Sequence, residues 1–225
     1  MRAAVSEQVP LASVGMLRTS LFATALLTIV TAAPLLCRAE SSVQTGAGAL
    51  TATAHVDLQI TIPKFIFLRV GTGSGTVAGG WAANGNINLI TWAPASGTVG
   101  NGVALAGTGG DLGGGVETAV VVANHGNVTL SSTTLGALGD GAGDTISYAQ
   151  IRTVASKLTT AQVLNVPTLA DGATRSITIP AAAAKVVQRD AKWTYTYRNQ
   201  TSPPPGTYGG VNTNNGRVTY TASIP

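Results

Sequence analysis

From Leu50 to Ile62 apolar and polar residues alternate without a break. Leu50, Ala52, Ala54, Val56, Leu58, Ile60 and Ile62 fall on one face, and Thr51, Thr53, His55, Asp57, Gln59 and Thr61 on the other. Successive side chains of a strand point to opposite faces, so this period of two predicts a long strand of about 40 Å at roughly 3.3 Å per residue. Pro63 ends or bends it, because proline cannot donate to a ladder. Further strands are expected at Lys64 to Val70, whose apolar residues on both faces suggest a buried strand, and at Asn86 to Trp92, Val116 to Ala123, Asn127 to Ser131, Thr145 to Val154, Arg175 to Ile179, Lys192 to Arg198 and Arg217 to Ile224. Gly, Asn, Asp and Pro punctuate them. About nine short strands so spaced predict an all-β fold, a single β-sandwich. The tetra-alanine stretch behind Pro180, from Ala181 to Arg189, organises no apolar face and reads as a loop or single turn.

The residues before Glu40 follow a different pattern. Leu21 to Leu36 is nearly free of polar groups and lies behind Arg2 and Arg18. Cys37-Arg38-Ala39 follows, with small residues at −3 and −1 if cleavage falls before Glu40. That is the form of a secretory signal peptide over residues 1–39. A retained anchor is the competing reading, but a spanning helix needs about 20 apolar residues and this run is broken by Pro34 and ended by Arg38. A lipoprotein leader would carry a small residue where Leu36 precedes Cys37. The expected organisation is therefore a leader over 1–39, a flexible segment over 40–49 and a β-sandwich domain over 50–225, in a protein exported to the periplasm, cell surface or exterior.

Composition narrows the function. The chain has 225 residues, of which 44% are hydrophobic and 10% charged. Loss of the leader would remove the single cysteine, and with it thiol nucleophiles, zinc thiolate sites and disulfides. The exported chain would lose Arg2, Arg18, Arg38 and Glu7 and keep a net charge of +2, with its basic residues dispersed rather than gathered in the patch that nucleic acid requires. The densest basic stretch, Lys185 to Arg198, is interrupted by Asp190 and reads as a solvated strand edge.

Residues for chemistry are few. His55 and His125 are 70 positions apart and fix no metal spacing. Gly73-Ser74-Gly75 is followed by Gly79, Gly80 and Trp81 rather than by a helix that could hold a phosphate. Asp140 and Asp144 could reach one calcium ion, but calcium takes six to eight oxygens, and a plain turn accounts for the pair. The expectation is a protein that is not an enzyme, with no catalytic residue, no cofactor and no metal site.

Two function classes remain open. In one, the alternating segment pairs with a neighbouring chain, since an exposed strand edge is a template for another strand; Leu50, Ala52, Ala54, Val56, Leu58, Ile60 and Ile62 are then the assembly positions, unless the segment is simply the first strand of its own domain. In the other, the chain is a monomeric secreted or periplasmic module. Its Gly-rich loops, Gly97 to Gly115 and Gly136 to Gly143, would recognise a glycan or protein, with Trp81, Trp92, Trp193, Tyr195, Tyr197 and Tyr208 as candidate stacking rings.

Three stretches carry a family resemblance: Val120 to Leu130, Asp144 to Tyr148, and the closing Gly206-Thr207-Tyr208 with Val218 to Ser223. They resemble segments of exported bacterial fimbrial-type β-sandwich subunits, the group that includes spore-coat-U-like pilins. The resemblance implies an immunoglobulin-like sandwich and polymerisation, with the chain itself or other surface subunits as partners, alongside the export machinery. Those pilins commonly carry a disulfide, and this chain without its leader has no cysteine to form one.

Overall fold

The computed structural model describes residues 40–72, 81 and 83–225; the expected leader, 1–39, and the Gly73-Ser74-Gly75 stretch lie outside the described residues. The chain divides into two compact units, Met1–Ile60 and Thr61–Pro225. In the first, residues 40–60 carry no helix or strand. Among the described residues no helix is long and apolar enough to cross a membrane.

The second unit is all-β. Its strands are β1 (Ile66–Val70), β2 (Ile90–Thr91), β3 (Leu105–Ala106), β4 (Thr108–Gly109), β5 (Val116–Ala123), β6 (Val128–Thr133), β7 (Leu138–Gly139), β8 (Thr145–Ile146), β9 (Ile151–Ser156), β10 (Thr174–Ile179), β11 (Val187–Tyr197) and β12 (Thr219–Ser223). A five-stranded sheet runs β1-β5-β11-β3, with β9 also paired to β11. A three-stranded sheet runs β10-β6-β12. Every strand pair is antiparallel, which makes this a β-sandwich flanked by two small ribbons, β2-β4 and β7-β8.

The sequence pattern explains the two layers. In β6, Val128, Leu130 and Ser132 are buried while Thr129 and Ser131 are not, the alternation of a strand with one face in a core. β5 is β-branched and apolar, and Ala119 to Ala123 are all fully buried, as befits a strand between two partners. The connection Asn124–Asn127 carries the chain from β5 in one sheet to β6 in the other, with Gly126 at φ 91°. On β11 the odd positions Ala191, Trp193, Tyr195 and Tyr197 join Val121, Leu130 and Leu164 in the core.

Several expected elements change. Lys185 to Arg198 is no strand edge: β11 is an interior strand, hydrogen-bonded to β5 on one side and β9 on the other. Its basic residues, read as marking an edge, are tolerated there because strand alternation lets Lys192 reach solvent while Ala191 and Trp193 pack inward. The Ala181–Arg189 stretch turns only over 181–186, where Lys185 N donates to Ala182 O at 2.9 Å, and β11 begins at Val187. Thr145 to Val154 is broken by a 3-10 turn at Tyr148–Gln150, because Tyr148 N donates to Asp171 Oδ1 at 2.6 Å instead of to a neighbouring strand. Asn86 to Trp92 contributes only the two residues of β2. The largest departure is Leu50 to Ile62, where perfect alternation forms no ladder with any described strand.

Buried polar side chains fasten the loops. Asn199 is fully buried: its Oδ1 accepts from Gly100 N at 2.8 Å, and its Nδ2 donates to Thr98 O at 2.7 Å and Asn101 Oδ1 at 3.0 Å. Asp190, also fully buried, does the same for the loop after β9. Its Oδ1 accepts from the backbone N–H groups of Thr159 (3.0 Å) and Thr160 (2.8 Å), and its Oδ2 from the Thr159 hydroxyl.

Candidate functional site

The predicted assembly positions stay together as an exposed set. Val56, Leu58, Ile60 and Ile62 are 74–89% exposed, and Leu50, Ala52 and Ala54 are exposed as well. A run of large aliphatic side chains left in water is unfavourable by about 2 kcal/mol for each one that burial would cover. On the polar face, His55 Nδ1 lies 2.8 Å from Glu40 Oε2, which also accepts from His55 N at 3.2 Å.

The sandwich carries an independent feature. β1 ends the five-stranded sheet and β12 ends the three-stranded one; among the described strands each has one partner, β5 and β6 respectively. The two edge strands lie beside each other, one from each layer. Their core-facing side chains, Leu68 and Val70 on β1 and Tyr220 and Ala222 on β12, pack on the core yet remain only half-buried, as do Val218 and Ile224 flanking β12. The interior strands show what a closed core looks like here: Ala119, Val121 and Trp193 are wholly covered. The side of the sandwich between β1 and β12 is thus a seam where, among the described residues, each strand has a sheet partner on one side only, over an apolar floor.

That floor is chemically fixed. Tyr220 Oη and Tyr195 Oη are hydrogen-bonded at 2.9 Å, and the Tyr220 ring sits 5.0 Å from that of Trp193, tilted by 48°. Desolvation pushes both phenols above the ordinary tyrosine range, so they stay protonated. Near the end of β1, the buried Glu117 accepts from Asn88 Nδ2 at 2.8 Å, and Gly71 (φ 73°) leaves room where a Cβ would strike its carboxylate. Desolvation raises the Glu117 pKa, with the Asp111 carboxylate adding to it.

The residues of the binding-module reading are mostly committed elsewhere. Trp193, Tyr195 and Tyr197 are core, and Trp92 packs against it. Tyr208 donates to Pro204 O at 2.8 Å. Trp81 alone of the six is well exposed, at 48%, and stacks on Phe65 with ring centroids 5.0 Å apart. The glycines at 109 and 110 serve the backbone, since a Cβ on either would strike a main-chain carbonyl oxygen, of Leu89 or Val116. Asp140 Oδ1 accepts from the amides of Ala142, Gly143 and Asp144 at 2.8–3.0 Å, and these bonds, that from Ala142 foremost, hold its pKa below the ordinary aspartate value. The described residues contain no group of three or more His, Cys, Asp or Glu placed to hold a metal ion.

The seam itself was beyond sequence reasoning, because nothing local says that strands some 150 residues apart share an edge. The strand expected at Arg217 to Ile224 was the one legible hint. Comparison of the chain with protein-family models, with curated proteins and with solved structures finds no match.

Proposed function

We propose that this chain is an exported, non-enzymatic structural subunit of a surface fibre or coat, which assembles by laying Leu50–Ile62 of one copy into the seam between β1 and β12 of the next. The observation that carries the reading is the pairing of two parts: an exposed alternating segment that belongs to no sheet, and a sandwich whose neighbouring edge strands each have, among the described residues, one sheet partner, over a half-buried apolar floor. The chemistry is complementary. A strand in the seam would offer backbone N–H and C=O groups to the free edges and aliphatic side chains to Leu68, Val70, Tyr220 and Ala222, the strand-addition mode of recognition. The resemblance to fimbrial-type subunits points the same way, as does the leader-like N-terminus, which would deliver the chain outside the cell.

The test is the size distribution of the purified chain beside a Leu58→Asp/Ile60→Asp variant. The wild-type chain is expected to form a ladder of oligomers and the variant a folded monomer, since two carboxylates cannot enter an apolar floor unpaired. A wild-type chain that stays monomeric at high concentration overturns the assembly reading. It would favour the second one, a monomeric binding module, whose support is the exposed Trp81 stack.

A further inference from the structure

The residues joining the alternating segment to the sandwich are fastened at both ends by one side chain, that of Asn124, while Lys64 between them donates to Pro225 O and Phe65 stacks on Trp81. Asn124, the first residue after β5, accepts from Phe65 N through Oδ1 at 2.9 Å and donates through Nδ2 to Pro63 O at 2.7 Å. Its own backbone N–H lies 3.4 Å from Phe65 O. Since Ile66 pairs with Ala123 in the β1–β5 ladder, these bonds prolong β1 backwards by three residues, with a side-chain amide standing in for the missing strand. Pro63 adds its own restriction, with φ fixed near −65° and no N–H to give.

This arrangement bears on a choice that any chain with a free strand and an adjacent open edge must make. The segment could double back as a hairpin and cover the free edge of its own β1, or it could reach another copy. A hairpin needs a reversal within a few residues, and the tight two-residue turns that suit twisted strands require positive φ. Pro63 and Phe65 are fastened to Asn124, and Lys64 between them to Pro225 O, so these residues cannot supply the reversal. Immediately upstream stand Ile60, Thr61 and Ile62, three β-branched residues for which positive φ is strongly unfavourable. A turn placed further upstream would use up the aliphatic positions themselves.

We infer that Asn124 is a positioning residue for assembly: by clamping Pro63 and Phe65 in line with β1, it bars the segment from its own edge and leaves a second copy of the chain as the partner. This rests on the strand-donation reading above. The clamp acts through direction alone and contributes no surface to the seam.

The experiment compares the full chain with Asn124→Ala and with an insertion of Gly-Ser-Gly-Gly between Ile62 and Pro63, which keeps the clamp but supplies residues able to turn. Oligomer ladders are read by native size analysis, and protection of β1 amides by hydrogen exchange in the isolated monomer fraction. Both variants are expected to lose at least tenfold in oligomer yield, while their monomers gain protection at the free edge of β1, the mark of a segment folded back on its own chain. Wild-type ladders with unchanged ladders from the insertion variant overturn the positioning role and leave strand donation intact. Loss of ladders without new protection in the monomer overturns it too, because the segment has then not been captured. A wild-type chain without ladders would instead remove the assembly reading on which the inference stands. Should Asn124→Ala fail to fold, the insertion variant decides the matter.

Discussion

Replacing Asp190 by alanine is expected to cost about 3–4 kcal/mol and to leave the loop after β9 detached from the sheet. Asp190 is fully buried on an interior strand, and its carboxylate answers two backbone N–H groups and the hydroxyls of Thr159 and Thr160. Alanine takes the acceptor from the two backbone N–H groups and the Thr159 hydroxyl, while the Thr160 hydroxyl still has Gln162 O at 2.8 Å; each group left unsatisfied costs roughly 1–3 kcal/mol, less whatever this partly exposed loop recovers from solvent. The sign of the pH dependence follows from the same geometry. Burial acts to raise the Asp190 pKa, and the hydrogen bonds from Thr159 and Thr160 outweigh it and bring it below the ordinary value. A carboxyl with a depressed folded-state pKa contributes stability that is fully present above its unfolded value, about 3.9, and is lost as pH falls through the lower folded value. Urea midpoints of the wild-type chain should therefore fall in strong acid. Those of Asp190→Asn, lower at neutral pH, should show a flatter acid limb. An unchanged midpoint for Asp190→Ala at pH 7 would contradict the clasp.

Trp193→Ala is expected to be larger still. The indole is wholly buried at the centre of the sandwich, and its Nε1–H donates to Leu164 O at 2.8 Å. Truncating a buried tryptophan costs about 3–5 kcal/mol through lost burial and the cavity left behind, and the orphaned Leu164 carbonyl adds about 1 kcal/mol. Against a total stability of roughly 5–15 kcal/mol for a domain, such a variant sits at the edge of unfolding. Trp193→Phe separates the two contributions, because it keeps most of the ring and loses the donor; a drop of about 2 kcal/mol in a urea titration is the expected result. Tyr220 packs at a tilt against this indole and belongs to β12, so the Trp193→Ala variant should also weaken the seam floor.

What the sequence made legible is what local physics decides. Val116–Ala123 was readable as a strand to the residue from its β-branched side chains, whereas Lys64 to Val70, apolar on both faces and read as buried, is the partly exposed edge strand β1, because burial depends on partners that its own pattern does not name. Trp193, Tyr195 and Tyr197 were readable as one strand face and proved to be core. The same reasoning failed where partners decide. Lys185 to Arg198 looked like an edge from its charges, yet its neighbours in the sheet come from residues 116–123 and 151–156, and no local pattern announces them. Asn124 and Asp190 read as ordinary turn and strand residues, since their roles depend on Pro63, Phe65, Thr159 and Thr160 arriving from elsewhere in the chain. The alternation over Leu50–Ile62 misled in an instructive way. A period of two shows that one face is suited to burial, and it does not say in which molecule.

The most direct measurement of that last point is complementation in trans. The monomeric Leu58→Asp/Ile60→Asp chain is mixed with a synthetic peptide of the wild-type residues 50–62, and binding stoichiometry, thermal midpoint and amide exchange are followed together. If a strand from another copy fills the seam, the peptide binds one to one, raises the midpoint and protects amides of β1 and β12 above all others. A peptide that leaves the midpoint and the exchange of both edge strands unchanged would contradict the account.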